Sequence, residues 1–285
     1  MAIRNVNSVE SRLTMPHESR HISRRQLMRT SAAALLSAGL WPGVLAAQDA
    51  AVPDVRFLCV NDLHWFDENG DAFFKTVVEK MKQAQPDGGL LLVVGDLVDK
   101  GTAAEYAGVG EVLKSTGMTV KVVAGNHDWQ TQTDRKPYDE AWPNSLNYTF
   151  EHAGWQFVGL DSSDGVKFEQ VSVLKPTLDW LDENLPKLDK RRPMVLYTHF
   201  PLGKDVKYQV TNADNVLNRF RDYNLRAVFN GHFHSFTERT REPYIITTNK
   251  CCSFLRNNHD GTPEKGFFLC TSKDGKFVRE FVRVA

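Results

Sequence analysis

The stretch LLLVVGDLVD, residues 90 to 99, predicts both the fold and the position of a functional site. Its first five residues are all apolar, which is typical of a parallel strand that is buried on both faces. Gly95 and Asp96 follow this strand directly, and Asp99 lies three residues further on. A buried strand that leads into carboxylates predicts a site at the carboxyl end of a parallel sheet.

The same pattern, an apolar run followed by metal-seeking or proton-carrying side chains, occurs at four other places. The runs are VRFLCV before Asn61, Asp62 and His64; VKVVA before Gly125, Asn126, His127 and Asp128; MVLYT before His199; and AVFN before Gly231, His232 and His234. In open α/β sheets ligands bind outside the carboxyl ends of the strands, so these endings are expected to meet in one crevice. A single histidine at a strand end is more often structural, but five of them together with carboxylates favour a hydrolytic metal site.

Strand-like and helix-like stretches alternate along the chain. The predicted strands are 55–60, 90–94, 119–124, 147–150, 155–160, 194–198 and 227–230, with three more short strands from Tyr244 onward. The predicted helices are 71–85, 103–115, 177–185 and 214–223, and 129–144 is predicted to be a polar loop. This order predicts an α/β fold in which two mixed β-sheets pack face to face as a sandwich flanked by helices.

Length and charge restrict the class of protein. A chain of 285 residues with 41% hydrophobic residues can bury one sizeable core, so 48–285 is predicted to be a single catalytic domain. The formal net charge is zero, and six arginines lie in residues 1–47, so the rest of the chain is mildly acidic. Because nucleic-acid binders usually carry a basic face, no nucleic-acid polymer is expected as a partner.

The first 47 residues are predicted to be an export signal. Arg24 and Arg25 precede a weakly apolar stretch from 32 to 47, an arrangement that resembles a bacterial twin-arginine signal. The resemblance implies passage through the twin-arginine (Tat) export machinery, a periplasmic or secreted location, and no stable membrane association after cleavage. The alternatives are a disordered basic tail, or a membrane anchor if cleavage fails.

The four cysteines leave one question open. The spacing of Cys59, Cys251, Cys252 and Cys270 is not that of a zinc knuckle, and Cys59 lies in an apolar run, where a buried thiol is common. A disulfide between Cys252 and Cys270 is compatible with an oxidising compartment, although sequence does not decide whether it forms.

Taken together, the strand endings resemble the calcineurin-like metallophosphoesterase family. The matching residues span 62–234 and are, in order, Asp62-Leu63-His64, Gly95-Asp96-Leu97-Val98-Asp99, Gly125-Asn126-His127-Asp128, His199 and Gly231-His232-Phe233-His234. Each element alone is weak, whereas all five in the right order form a specific signature. The resemblance implies a four-layer α/β/β/α sandwich and a metal-dependent phosphoesterase.

The resemblance also implies a centre of two metal ions. Its ligands would be Asp62, His64 and His234 for one ion, Asn126, His199 and His232 for the other, and Asp96 as the bridge between them. Mixed imidazole and carboxylate ligands suit iron, manganese or zinc, so two such divalent or trivalent ions are expected. Ions about 3.5 to 4 Å apart can hold a bridging hydroxide as nucleophile. Their charge favours a small phosphodiester, such as a cyclic nucleotide, or a phosphomonoester.

Family resemblance places His127 over the metals without binding them, so it is predicted to protonate the leaving oxygen. Asp99 would hold and charge this histidine, although an aspartate after a strand can equally cap the next helix. Asp128 is a candidate for orienting a ligand imidazole, and Asp161 for the same role or for a turn.

Departures from relatives narrow the substrate. Purple acid phosphatases carry a tyrosine where Asp99 stands, which argues against a tyrosinate-bound ferric ion. Phosphoprotein phosphatases carry arginine after that aspartate, whereas Lys100 lacks the planar fork for bidentate phosphate binding. The loop residues considered for binding a phosphate are Arg135, Lys136, Lys204 and Lys207. Those considered for stacking a base are Trp65, Trp129, Tyr138, Trp142 and Phe200. The alternative is that these aromatic side chains pack the loops down, and this is the favoured interpretation for Trp142 and Phe200.

Two other classes fit parts of the pattern. A non-catalytic metal-binding scaffold on the same fold would be expected to lose ligands or the acid histidine, and none is missing here. A secreted α/β binding protein with structural histidines would bind no ion in a metal titration.

Overall fold

The computed structural model describes residues 52–273 and 276–285, which contain eleven strands and five α-helices. The strands are β1 (Val55–Val60), β2 (Leu90–Val94), β3 (Thr119–Val123), β4 (Tyr148–His152), β5 (Trp155–Leu160), β6 (Met194–Thr198), β7 (Leu225–Asn230), β8 (Thr237–Arg241), β9 (Tyr244–Thr248), β10 (Gly266–Lys273) and β11 (Lys276–Arg283). The helices are α1 (Asp71–Ala84), α2 (Ala103–Ser115), α3 (Lys136–Ala141), α4 (Lys175–Asn184) and α5 (Ala213–Asn218), with short 3-10 turns at Glu68–Gly70 and Leu185–Lys187.

The strands form two mixed sheets. The first has the order β11-β10-β1-β2-β3, in which β1, β2 and β3 are parallel and β10 is antiparallel to both of its neighbours. The second has the order β4-β5-β6-β7-β9-β8, in which the four central strands are parallel and the two edge strands are antiparallel. Parallel neighbours end at the same edge of a sheet, so each sheet brings the residues after its central strands together.

Alternate residues of the strands pack against different layers. Phe57 of β1 lies between the sheets with Phe157 and Phe229 of the second sheet, whereas Leu58 faces the helices and packs with Phe74 and Val109. A third cluster packs the outer face of the second sheet against α4 and α5. Three apolar layers between four layers of structure confirm the predicted α/β/β/α sandwich.

Two helices show why the chain folds locally as predicted. Helix α1 buries Phe74, Val77, Val78 and Met81, one apolar face at helical spacing. Helix α2 begins at the N-cap Thr102, whose side chain accepts a hydrogen bond from the Glu105 N–H while the Glu105 carboxylate accepts one from Thr102. These signals fix the position of the loop between β2 and α2.

Two elements were missed in the predictions. The predicted polar loop contains the short helix α3, which buries Tyr138. Strand β8 is polar and mostly exposed, because it is an edge strand paired only with β9. Its sequence, TERTR, therefore carries no apolar signal.

The predicted helix 214–223 is wrong in length, because α5 ends at Asn218. The Arg219 guanidinium donates a hydrogen bond to the Asn215 carbonyl at 2.7 Å. In a continuing helix that carbonyl would accept from the backbone N–H of Arg219. That N–H donates instead to the Val216 carbonyl, three residues back. The tighter turn ends the helix.

Three expectations concern the compartment. The four cysteines are free and buried, so the Cys252 to Cys270 disulfide is not formed; Cys252 packs on the helical face of the first sheet and Cys270 on the opposite face. The predicted export signal lies outside the described residues. Within the described ranges no helix combines the length and the apolar character needed to cross a membrane.

Candidate metal centre

The loops after β1 and β2 extend the hydrogen bonding between these strands and join it to the second sheet. The Asp62 N–H donates to the Gly95 carbonyl at 3.1 Å, and the His64 N–H to the Asp96 carbonyl at 3.0 Å. From the second sheet, the His232 N–H donates to Asp62 Oδ2 at 3.0 Å. The backbone thus brings the ends of both sheets to one place.

Backbone strain is concentrated at this place. Ten described non-glycine residues have positive φ, and five of them are predicted ligands: Asp62, His64, Asp96, His232 and His234, with φ between 45° and 67°. L-residues adopt this region at a cost, and strained residues gather at functional sites.

Close packing in the centre requires glycine at two strand endings. Gly95 has a φ of 78°, and a Cβ there would collide with the His199 ring. A Cβ on Gly125 would collide with the Asp96 side chain. The chain therefore packs main chain directly against donor side chains.

The donor atoms form two clusters that share one carboxylate. The first consists of Asp62, His64, Asp96 and His234, and the second of Asp96, His199 and His232, with ligand atoms within 4.8 Å of one another in each. Asp96 Oδ2 lies 3.5 Å from His64 Nε2 and 3.3 Å from His199 Nε2. Asp62 Oδ1 lies 3.0 Å from His234 Nε2. Asp96 is therefore placed to contact both sides of the centre.

In the first cluster, the ring nitrogens that point away from the centre face oxygen atoms. His64 Nδ1 lies 3.3 Å from Asp99 Oδ1, and His234 Nδ1 lies 3.2 Å from the Asn257 carbonyl. Their Nε2 atoms face each other at 3.2 Å.

The histidines of the second cluster are held through the ring nitrogens that point away from the centre. His199 Nδ1 lies 3.1 Å from the Val94 carbonyl, and His232 Nε2 lies 2.7 Å from the Phe168 carbonyl. The remaining nitrogens, His199 Nε2 and His232 Nδ1, are 3.2 Å apart. Metal-binding histidines are characteristically anchored in this way through the nitrogen that does not bind the ion.

Asn126 contributes an unsatisfied acceptor. Its Oδ1 is buried and has no hydrogen-bond partner among the described residues, although the side chain lines the cavity of the centre. A buried acceptor without a partner costs about 1–3 kcal/mol, and a cation would satisfy it.

Charge in the centre is balanced by protonated histidines. Burial alone would raise the pKa of Asp62 and Asp96, but His234 and His199 respectively hold these carboxyls below their ordinary values. Burial alone would lower the pKa of His199, but Asp96 raises it to about 9; Asp62 raises that of His234 in the same way. Metal cations would compete with protons for these two rings.

The other two rings are kept neutral. Burial lowers the pKa of His232 to about 3, and burial also lowers the pKa of His64. Neutral imidazole is the form that binds metals. Seven converging donors, anchored rings and an unsatisfied amide oxygen fit two metal ions.

His127 lies beside the clusters with one ring nitrogen directed away from its anchor. The backbone N–H of His127 donates to Asp96 Oδ1 at 2.9 Å, and its ring Nδ1 lies 2.7 Å from the Asp99 carbonyl oxygen. The side chain is 30% exposed and lines the cavity. Nε2 is thus left to meet a substrate.

Asp99 contacts both His127 and Arg256. Its carboxylate is 3.9 Å from His127 Nδ1, so the backbone carbonyl, and not the carboxylate, makes the closer contact. The capping alternative is wrong, because Thr102 is the N-cap of α2. Burial alone would raise the pKa of Asp99, but the neighbouring His64 ring and the hydrogen bonds from Arg256 lower it to about 2.

Asp128 does not orient an imidazole, contrary to one prediction. Its carboxylate accepts hydrogen bonds from the N–H groups of Gly125 at 2.8 Å and Leu97 at 3.0 Å, and from the Tyr106 hydroxyl at 3.0 Å. It therefore fastens the two ligand-bearing loops together. Asp161 makes a turn, accepting from the Ser163 N–H at 2.9 Å.

The cavity over the centre has a volume of about 470 Å³. It is lined by His64, Asp96, Asn126, His127, Phe168, Tyr208, His232, His234, Leu255, Arg256, Asn257 and His259. None of the aromatic or basic residues predicted to bind substrate is among them: Trp65, Tyr138 and Phe200 are buried, and Arg135 lies over the Trp129 ring. Sequence reasoning did not single out Arg256, which lies in the segment after β9, or Tyr208, which lies in the loop after β6, because neither residue directly follows a strand.

Known proteins similar to this chain share its ligand-bearing region. A family model described as calcineurin-like phosphoesterase matches residues 55–236, a range that contains the predicted ligands. A probable cyclic nucleotide phosphodiesterase of Psychrobacter arcticus is 29% identical over 61% of this chain and 66% of its own length. A 3',5'-cyclic-nucleotide phosphodiesterase of Nostoc sp. is 27% identical over 64% of this chain and 70% of its own length. The chain thus spans about two thirds of these relatives.

Solved structures confirm the fold class. A dimetal phosphatase from Danio rerio superposes with a TM-score of 0.65 at 15% identity, covering 82% of this chain and 97% of that structure. The match of the family model to more than half of the chain confirms the predicted class of enzyme. The chain belongs to the calcineurin-like phosphoesterase family.

Proposed function

We propose that this protein hydrolyses a small phosphodiester, with two metal ions held by the seven predicted ligands. One observation carries the proposal: four histidines, three of them anchored to backbone carbonyls through their outer nitrogens, surround two carboxylates, one of which, Asp96, belongs to both clusters. The first ion would be held by Asp62, His64 and His234, the second by Asn126, His199 and His232, and both by Asp96. When bound, such ions neutralise phosphate charge and lower the pKa of water.

Iron, manganese and zinc are the metals proposed. The donor set contains four imidazoles, two carboxylates and an amide oxygen, and imidazole favours these metals over calcium and magnesium. His127 is proposed to donate the proton that the leaving oxygen needs, through Nε2.

The proposed substrate is a 3',5'-cyclic nucleotide. The two curated relatives described above are named for this substrate class. The cavity also adjoins an apolar pocket of about 200 Å³, which shares His64 and Leu255 with it. Phe66 and Phe254 line this pocket and are 39% and 56% exposed. Such rings suit stacking of a flat nucleobase, while the phosphate would lie over the centre.

A comparison of substrates tests the proposed function. The metal-loaded chain is expected to hydrolyse 3',5'-cyclic AMP, and to hydrolyse bis-p-nitrophenyl phosphate faster than p-nitrophenyl phosphate. A preference for the monoester, or no hydrolysis of the cyclic nucleotide, would overturn the assignment.

The base pocket is tested by Phe254→Ala. Loss of a stacking ring costs about 1–3 kcal/mol per base, so KM for cyclic AMP should rise about tenfold. KM for a cyclic ribose phosphate without a base should stay the same, because that substrate leaves the pocket empty. Phe236→Ala is the control, since Phe236 is 49% exposed but does not line either pocket. Equal increases in KM for both substrates would contradict binding of the base in this pocket.

Export to the periplasm is also proposed. Arg24 and Arg25 before the apolar stretch support it. Replacing both arginines by lysine is expected to keep the protein in the cytoplasmic fraction of the native host, as measured by fractionation and immunoblotting. An unchanged periplasmic fraction would contradict use of the twin-arginine machinery.

A further inference from the structure

The segment 251–265 lies beyond the region that the family model matches, yet it forms one wall of the cavity. The segment is firmly held. The Asn258 side chain, 6% exposed, accepts a hydrogen bond from the Cys251 N–H at 3.0 Å and donates to the carbonyls of Thr262 at 2.9 Å and Glu264 at 2.7 Å. A buried polar side chain with three such partners fixes the course of the loop.

The backbone of Arg256 is held on both sides. Its N–H donates to Ser253 Oγ at 3.0 Å, and its carbonyl accepts from Lys265 Nζ at 2.5 Å. Lys265 is itself only 9% exposed. The loop therefore presents the Arg256 side chain at a defined position in the cavity wall.

The Arg256 guanidinium is only partly used by the protein. Nε and Nη2 both donate to Asp99 Oδ1, at 2.8 and 2.5 Å. Within the described residues Nη1 donates to no acceptor, although the side chain lines the cavity and is 40% exposed. An arginine has five N–H donors in a planar fork, so donors remain for an anion.

Asp99 orients this fork toward the centre. The same Oδ1 atom that accepts from Arg256 lies 3.3 Å from His64 Nδ1. The Asp99 carboxylate therefore lies between Arg256 and the predicted ligand His64. Arg256 is on the side of the cavity where His127 lies. Lys100, the residue next to Asp99, does not line the cavity, and its Nζ lies over the Phe66 ring at 4.6 Å.

We infer that Arg256 binds a non-bridging oxygen of the substrate phosphate through Nη1, and that Asp99 holds it in place to do so. The inference rests on the proposed function and adds to it a phosphate-binding residue. Arg256, from a distant segment of the chain, supplies the planar guanidinium that Lys100 lacks. Asp99 then has two positioning roles, one toward His64 and one toward Arg256.

The test uses inorganic phosphate as the probe, titrated calorimetrically into metal-loaded protein. Arg256→Lys should weaken phosphate binding about 10- to 100-fold, because a hydrogen bond to a charged group contributes about 1.5–3 kcal/mol. KM for bis-p-nitrophenyl phosphate should rise by a similar factor, with kcat changed much less and two metal ions per chain retained. The control is Arg192→Lys, since Arg192 makes an ion pair with Glu151 at 2.5 Å, away from the cavity.

A second variant separates phosphate binding from a structural role. Arg256→Ala should lose phosphate affinity while retaining two metal ions per chain, and added guanidinium at low millimolar concentration should restore part of that affinity. Wild-type affinity in Arg256→Lys, loss of metal from either variant, or no rescue would overturn the inference while the hydrolytic function stands. Wild-type protein that neither binds phosphate nor hydrolyses esters would overturn the proposed function as well.

Discussion

Replacing Asp96 by asparagine is expected to lower kcat/KM for a phosphodiester by at least about 10³-fold, because the metals contribute several kcal/mol of charge stabilisation. Asp96 is the side chain that both clusters share, with Oδ2 3.5 Å from His64 and 3.3 Å from His199. Asparagine keeps the shape of the side chain but removes the charge that a bridging ligand must supply. The measurement is steady-state hydrolysis of bis-p-nitrophenyl phosphate by metal-loaded protein.

Asp161→Asn is the matched control for this variant. Asp161 is also buried and near a strand ending, but its carboxylate belongs to a turn with Ser163 and to neither cluster. Its replacement is expected to leave kcat/KM within about threefold of the wild type, as most changes away from the chemistry do. An Asp96→Asn protein as active as the Asp161→Asn protein would rule out a bridging role.

Replacing His127 by alanine is expected to slow the hydrolysis of an alkyl ester about 10²- to 10⁴-fold, the usual contribution of a general acid. In 3',5'-cyclic AMP the leaving oxygen is a ribose alkoxide, which needs a proton. In methyl p-nitrophenyl phosphate it is a stable phenolate, which needs none. The loss should therefore be much smaller for the phenyl ester, and the comparison of kcat for the two substrates is the measurement.

His152→Ala is the control for that comparison. His152 lies on β4 beside Phe157, remote from the cavity residues, and its loss should change neither rate. Equal losses on the two esters in His127→Ala would assign His127 to substrate or metal positioning instead of proton transfer.

The sequence predicted the site where an apolar run is followed directly by side chains that can bind a metal. Five apolar runs, each followed by donors, could be assigned to strands because most of their residues are apolar, and parallel strands of one sheet end at a common edge. The convergence of Asp62 and Asp96 follows from that topology, and the packing of the two sheets adds His232. The glycines beside them follow from the close packing that the convergence requires.

Contacts made by distant residues could not be read from the sequence. Asp128 looks like a partner for the adjacent histidine, yet its hydrogen bonds go to Leu97 and Tyr106, more than 20 residues away. Asp99 pairs with Arg256, which is 157 residues away in a segment without regular structure. Strand β8 was missed because an exposed edge strand needs no apolar residues.

The central claim is that the seven donors hold two metal ions, and anomalous diffraction from crystals of protein purified with its native metals tests it most directly. Two peaks are predicted at the absorption edge, one within about 2.0–2.2 Å of donor atoms of Asp62, His64 and His234, and the other equally close to Asn126, His199 and His232. Asp96 should reach both. No peak in this cavity, or a single peak that Asp96 does not contact, would contradict the account.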